Sequence, residues 1–241
     1  MIGIFDSGLG GLAIFKEIKK LIPEEDLYYY GDTANVPYGE KPTEEIKEYI
    51  SNSIKLLENK GCNIIVLACN TASVLDINYF RSLTKIPIIA VVPVIKTAAK
   101  LTKNKKIALL ATKNTIKSPY VDYLCNTFAS GCKIKKIHCP GLVSAIEKDT
   151  LTDNFLKKCV KKAKKQDVVI LGSTHYALIG DKIKKLLDED TEVIDSNRAV
   201  AKQVLRIANK EKLLHYDKKP EYIFDCSGDK DHFMKMVTKY I

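Results

Sequence analysis

Asn63-Ile-Ile-Val-Leu-Ala-Cys69-Asn-Thr71 and, 104 residues later, Asp167-Val-Val-Ile-Leu-Gly-Ser173-Thr-His175 decide the fold. Each begins as an unbroken aliphatic run with no polar alternation. That pattern belongs to a strand covered on both faces, as in a parallel sheet between helices. Each then breaks into small polar residues. A second pair repeats the theme at an offset of 105, with Ile2-Gly-Ile-Phe-Asp6-Ser7 matching Ile107-Ala-Leu-Leu-Ala111-Thr112. Two separate segments at nearly one offset imply two related halves. Open α/β sheets gather ligand groups at the carboxyl ends of their strands. Two facing halves would therefore set Cys69 and Ser173 on opposite walls of one cleft.

Outward from these runs, strands are expected at Ile2–Phe5, Leu27–Tyr30, Asn63–Leu67, Ile88–Val92, Ile107–Ala111, Ile134–His138, Val168–Leu171, Glu192–Ile194 and Tyr222–Asp225. Helical patterns separate them, which reads as α/β with mainly parallel strands. Ile46, Ile50, Ile54 and Leu57 mark one face of a helix stopped by Gly61. Ser118-Pro119 reads as an N-cap followed by a proline in the first turn.

Composition narrows the function classes. A chain of 241 residues, 46% hydrophobic, can bury a sizeable core. It holds no apolar run long enough for a membrane span, and its first residues carry no signal-peptide pattern, so a cytoplasmic protein is expected. Seven cysteines without a C-x-x-C pair argue against zinc ribbons and thioredoxin-type motifs. The net charge of +10 admits a nucleic-acid partner. The lysines, however, spread along helix faces, as in Lys157-Lys158 and Lys164-Lys165, without interleaved aromatics. They read as solvated faces, and no nucleic-acid or membrane partner is expected.

Four clusters carry chemistry. Gly8-Leu9-Gly10-Gly11-Leu12-Ala13 fits the G-x-G-x-x-A fingerprint, with Asp32 ending the next strand, which would suit a dinucleotide. Against that, Asp6 would set a carboxylate beside a pyrophosphate. The other reading is a turn whose amides bind another anion. At Ala68-Cys69-Asn70-Thr71 a thiol meets helix N-terminal amides, which favour thiolate; Cys69 is then a nucleophile or base, or else a buried structural cysteine like Cys62, Cys125 and Cys159. Gly172-Ser173-Thr174-His175-Tyr176 is its counterpart, and it lacks the G-x-S-x-G setting of a hydrolase nucleophile. Gly31-Asp32-Thr33-Ala34-Asn35-Val36-Pro37-Tyr38-Gly39 is a polar loop, a binding loop or a plain surface turn.

Together these clusters resemble the glutamate racemases of the cofactor-independent aspartate/glutamate racemase superfamily, nearly end to end. The opening Phe5-Asp6-Ser7-Gly8-Leu9-Gly10-Gly11-Leu12, the Gly31–Gly39 loop and Ala68-Cys69-Asn70-Thr71-Ala72-Ser73 are similar to family motifs. So are Val91-Val92-Pro93-Val94-Ile95-Lys96, Asp195-Ser196 before Ala199-Val200, and Ser227-Gly228-Asp229. The resemblance implies inversion of the α-carbon of free glutamate with no pyridoxal phosphate, other cofactor or metal. It implies that the product, D-glutamate, feeds cell-wall peptide and that the enzyme is a homodimer. It implies catalytic roles for Cys69, assisted by Asp6, and for the residue at 173, assisted by His175. Substrate contacts are implied at Ser7, Pro37, Tyr38, Gly39, Asn70, Thr71, Thr112, Thr115 and Thr174.

The departure is Ser173, where the family carries its second catalytic cysteine. A hydroxyl is far less acidic than a thiol. Asn35 stands at a usual arginine, Ala177 at a usual proline and Asn197 at a usual glycine, so the differences together read as divergence. Cys139, before Pro140, reads as structural. Three functions stay open: a glutamate racemase, impaired or altered by Ser173; a one-thiol isomerase or decarboxylase; and a catalytically weak amino-acid-binding homologue. The fold expected is two pseudo-symmetric α/β domains, residues 1–94 with 196–241 and residues 95–195, with the active site between them.

Overall fold

The computed structural model describes residues 1–214 and 219–241. Among the described residues nine strands form two sheets. The first contains β1 (Ile2–Asp6), β2 (Leu27–Gly31), β3 (Ile64–Leu67), β4 (Ile88–Ala90) and β9 (Tyr222–Cys226), in the order β4-β3-β1-β2-β9. The second contains β5 (Lys106–Ala111), β6 (Lys133–His138), β7 (Val168–Gly172) and β8 (Glu192–Ile194), in the order β6-β5-β7-β8. Every pairing between them is parallel. Each strand lies where the sequence pattern put it: β8 keeps the expected bounds and the others differ by one or two residues at an end.

Chain order and sheet order together show the duplication. Read as β4-β3-β1-β2 and β8-β7-β5-β6, the sheets place equivalent strands side by side in the same sequence. The two aliphatic runs are β3 and β7, and all residues of both are buried. Ile2 of β1 stands opposite Ile64 of β3, and Ile107 of β5 opposite Val168 of β7. The repeat at about 104 residues is thus a repeat of a two-strand core with its flanking helices.

The helices are α1 (Leu12–Leu21), α2 (Thr43–Asn59), α3 (Asn70–Ser73), α4 (Ile77–Ser82), α5 (Ile95–Leu101), α6 (Lys113–Lys117), α7 (Pro119–Phe128), α8 (Leu142–Glu147), α9 (Asp153–Val160), α10 (Thr174–Leu178), α11 (Gly180–Lys184), α12 (Asn197–Lys210) and α13 (Lys230–Tyr240). Helix α2 buries Ile46, Ile50, Ile54 and Leu57, and the left-handed Gly61 (φ 79°) follows its end. Only glycine adopts that angle without strain. Ser118 accepts a hydrogen bond from the Tyr120 amide and Pro119 opens α7, the cap expected from the dipeptide. Four apolar clusters cover the two faces of each sheet. All seven cysteines are free; Cys62 and Cys139 are buried as expected of structural thiols, whereas Cys125 and Cys159 are only half-buried. Among the described residues no helix is long and apolar enough to cross a membrane.

Candidate functional site

Cys69 and Ser173 occupy equivalent stations. Cys69 is the extended N-cap residue between β3 and α3 (φ −95°, ψ 118°), and Ser173 is the extended N-cap residue between β7 and α10 (φ −141°, ψ 132°). Both are buried, at 4% and 3% exposure. Parallel strands carry their successor helices back over the sheet, so each residue lies at the carboxyl end of a buried strand. Cys69 Sγ is 3.5 Å from Ser7 Oγ, which follows β1. Thr174, beside Ser173, donates its hydroxyl to Asp6 Oδ2 at 3.0 Å, and Asp6 Oδ1 accepts the Gly8 amide at 2.8 Å. That hydrogen bond is one of those that tie the Ser173 wall to the Cys69 wall.

The second wall holds a buried ion-pairing couple. His175 Nε2 meets Glu147 Oε1, and the same oxygen accepts the Leu9 amide at 2.7 Å. His232 of α13 donates to the Glu147 carbonyl at 2.7 Å. Glu147 escaped the sequence reading. A signal was available: it lies four residues after buried Val143 in α8, on the buried stripe that holds Leu142 and Ile146. A carboxylate on such a stripe needs a partner.

The polar seam between the walls runs through threonines. Thr71 and Thr112 hydroxyls are 2.9 Å apart, and Thr112 and Thr115 are also 2.9 Å apart. The Gly31–Gly39 loop, far from a plain surface turn, buries Tyr38 and Gly39 and leaves Pro37 half-buried. Asp32 anchors it by accepting from Tyr38 Oη at 2.5 Å, from Ser227 Oγ at 2.6 Å and from both contacts of Asn35 Nδ2 at 3.0 and 3.1 Å. Asn35 thus serves Asp32 directly. A Cβ on Gly39 would lie 2.5 Å from Thr112 Cβ, so only glycine allows the loop this close to the second half. Asn70 Nδ2 is buried with no hydrogen-bond partner. A buried amide left so is costly and marks a place for a ligand acceptor.

The glycine fingerprint has another use. A Cβ on Gly8 would strike the Glu147 carboxylate at 2.1 Å, and one on Gly10 would lie within 2.7 Å of Thr174, the His175 ring and the His175 amide. Both glycines let the second half pack onto the start of α1. That approach fills the space a pyrophosphate would need, which removes the dinucleotide reading.

Burial sets the electrostatics. It pushes the Cys69 thiol up to about 11, and the Asp6 charge adds to this, while Ser7 and nearby amides pull the other way. The expectation that helix amides would make Cys69 a thiolate is thus corrected: in the closed site desolvation outweighs them. Burial likewise raises Asp6 above the ordinary carboxylate range, against the pull of His175. For His175, burial opposes the cation, but Glu147 and then Asp6 outweigh it and hold the imidazole above its ordinary value.

A buried thiol and a buried hydroxyl at matched strand ends of two duplicated α/β halves, with buried Asp6, His175 and Glu147 near them, suit an enzyme that moves a proton on a small polar substrate. The chain belongs to the Asp/Glu/hydantoin racemase family, whose sequence model matches residues 2–204. Within that family it is similar to glutamate racemases. A glutamate racemase from Clostridium botulinum is 35% identical over 95% of this chain and 93% of its own length. The crystal structure of a glutamate racemase isoform from Bacillus anthracis superposes with a TM-score of 0.88 at 29% identity, covering 100% of this chain and 93% of the other. The Escherichia coli glutamate racemase, solved with L-glutamate and an activator, gives 0.89 at 29% identity, covering 99% and 94%.

Proposed function

We propose that this chain interconverts L- and D-glutamate by proton transfer at the α-carbon, with its own side chains as acid and base. The observation that carries the reading is the pair of matched N-cap stations, Cys69 and Ser173, joined across the cleft by the Thr174–Asp6 hydrogen bond. Inversion requires one group on each face of the α-carbon. Cys69 stands for the face from which D-glutamate loses its proton. Its thiol is held protonated by burial and donates to Ser7 Oγ; Asp6, whose charge the thiol senses and whose own carboxyl burial raises, is the group to which we assign that proton when substrate binds. The Cys69 thiolate then takes the α-proton, and the electron pair delocalises into the α-carboxylate. Ser7, Asn70, Thr71, Thr174 and the loop residues Tyr38 and Gly39 supply donors around that charge, as do Thr112 and Thr115, while Pro37 shapes the loop and donates nothing. Preorganised donors in a dry site are worth far more than in water.

On the opposite face Ser173 must supply or take the proton. A serine hydroxyl is a weak acid and a weaker base, so this limb is slow. His175, held by Glu147, is the group that supports it. The site is thus competent on one face and rate-limited on the other. In this reading the product feeds cell-wall peptide in the cytoplasm, the enzyme works as a homodimer, and the domains divide as 1–94 with 196–241 and 95–195. Sheet membership supports that division, and the Ser196 hydroxyl bonding the Val92 carbonyl at 2.6 Å joins its two crossing segments. Residues 215–218 lie outside the described residues.

The test is chiral chromatography of L-glutamate, D-glutamate and L-aspartate, each incubated with purified protein. Enantiomer interconversion of glutamate and not aspartate is expected. Turnover of aspartate with glutamate untouched would overturn the substrate assignment.

A further inference from the structure

Access to this site is a structural problem in itself. Cys69, Asn70, Ser173 and Thr174 are each no more than 4% exposed. The halves must part for a substrate to enter. The Thr71–Thr112 and Thr174–Asp6 bonds join residues that the proposed mechanism itself uses. Among the other contacts between the halves, one acts on the binding loop itself. The side-chain amide of Asn114, in the first turn of α6, donates to the Tyr38 carbonyl at 3.2 Å and to the Lys41 carbonyl at 3.0 Å. Both carbonyls flank the short 3₁₀ turn Tyr38–Glu40 of the opposite half. A single amide thus staples both ends of the turn that carries Tyr38 and Gly39.

We infer that Asn114 is a positioning residue, a cross-cleft latch that holds the Tyr38–Lys41 turn against α6 and sets how often the site opens. This rests on the reading of the Cys69–Ser173 cleft as the active site. Asn114 is half-buried at the rim, where it touches neither Cys69 nor Ser173. Its neighbour Thr112 packs on Gly39, so the latch and the tight glycine contact act on one turn. The latch closes the mouth without consuming a donor needed inside. Its loss should therefore leave the chemistry intact and change entry and exit.

The experiment measures alkylation of Cys69 by iodoacetamide in the substrate-free protein, followed by peptide mass spectrometry, with buried Cys62 as the internal reference. Asn114→Ala should speed Cys69 labelling about tenfold, the factor that one to two net hydrogen bonds represent. Asn114→Asp, which turns a carboxylate on two carbonyls, should speed it further. Cys62 labelling should not change, because the opening is local. In racemase assays Asn114→Ala should raise KM several-fold without lowering kcat. Equal labelling of Cys69 in wild type and both variants would overturn the latch. Parallel acceleration at Cys62 would also overturn it, by showing general loosening. Labelling is read without glutamate, so it stands apart from the substrate assignment.

Discussion

Replacing Ser173 by cysteine should convert a slow enzyme into a fast one. Ser173 sits at the station that Cys69 occupies in the other half, an extended N-cap after a fully buried strand. A thiol placed there meets the amides of α10, and the His175–Glu147 couple stands on the same wall. A positioned general acid or base contributes about 10²–10⁴-fold. That equals about 2.7–5.5 kcal/mol of barrier at about 1.36 kcal/mol per tenfold. Ser173→Cys should therefore raise kcat for both directions by two orders of magnitude or more, measured as enantiomer formation over time by chiral chromatography. KM should move little, because the neighbouring donors are unchanged. A kcat within twofold of wild type, with an unaltered melting temperature, would refute the assignment of Ser173 as the limiting face.

Other outcomes follow from the same geometry. Glu147→Ala leaves the His175 imidazole and the Leu9 amide without their acceptor; breaking a buried pair costs about 3–5 kcal/mol. At about 2–4 °C per kcal/mol for a chain of this size, calorimetry should show a fall of roughly 6–20 °C. His175 is raised in the folded protein, so its contribution is full below its unfolded value near 6.5 and is lost as pH climbs through the folded value. Wild type should therefore lose stability through that window in thermal melts, and Glu147→Gln should flatten the loss. Because burial holds the free Cys69 thiol at about 11, kcat/KM for D-glutamate should keep rising with pH on the alkaline side of neutrality. A plateau reached below pH 7 would contradict that assignment. Gly10→Ala drives a methyl to 2.5 Å from Thr174 Oγ1 and should cost about 1–3 kcal/mol together with most activity; an unchanged unfolding midpoint would show that the halves do not pack as described.

The fold was legible because parallel strands buried on both faces leave a strong local mark. The runs Ile64–Leu67 and Val168–Leu171 have no polar face, and no helix register disguises them. Their polar endings, Cys69-Asn70-Thr71 and Ser173-Thr174-His175, pointed at the cleft for the same reason. What stayed hidden depends on contacts between the halves. Gly8 and Gly10 look like phosphate ligands until the second half is packed upon them. Glu147 belongs to a six-residue helix, too short for one charged residue to stand out. Asn114 gains meaning only when Tyr38 and Lys41, more than seventy residues earlier, are opposite it. The sign of the Cys69 shift was also out of reach, because local sequence shows the amides that lower a thiol's pKa but not the depth of burial that raises it.

The most direct measurement is proton NMR in D₂O of D-glutamate and, separately, L-glutamate, with wild type and Cys69→Ser. The account predicts loss of the α-proton signal from D-glutamate with wild type, slower appearance of the other enantiomer limited by Ser173, and exchange from D-glutamate slowed by about 10²-fold or more with Cys69→Ser. No exchange from either enantiomer with the wild-type chain, or undiminished exchange without the Cys69 thiol, would contradict it.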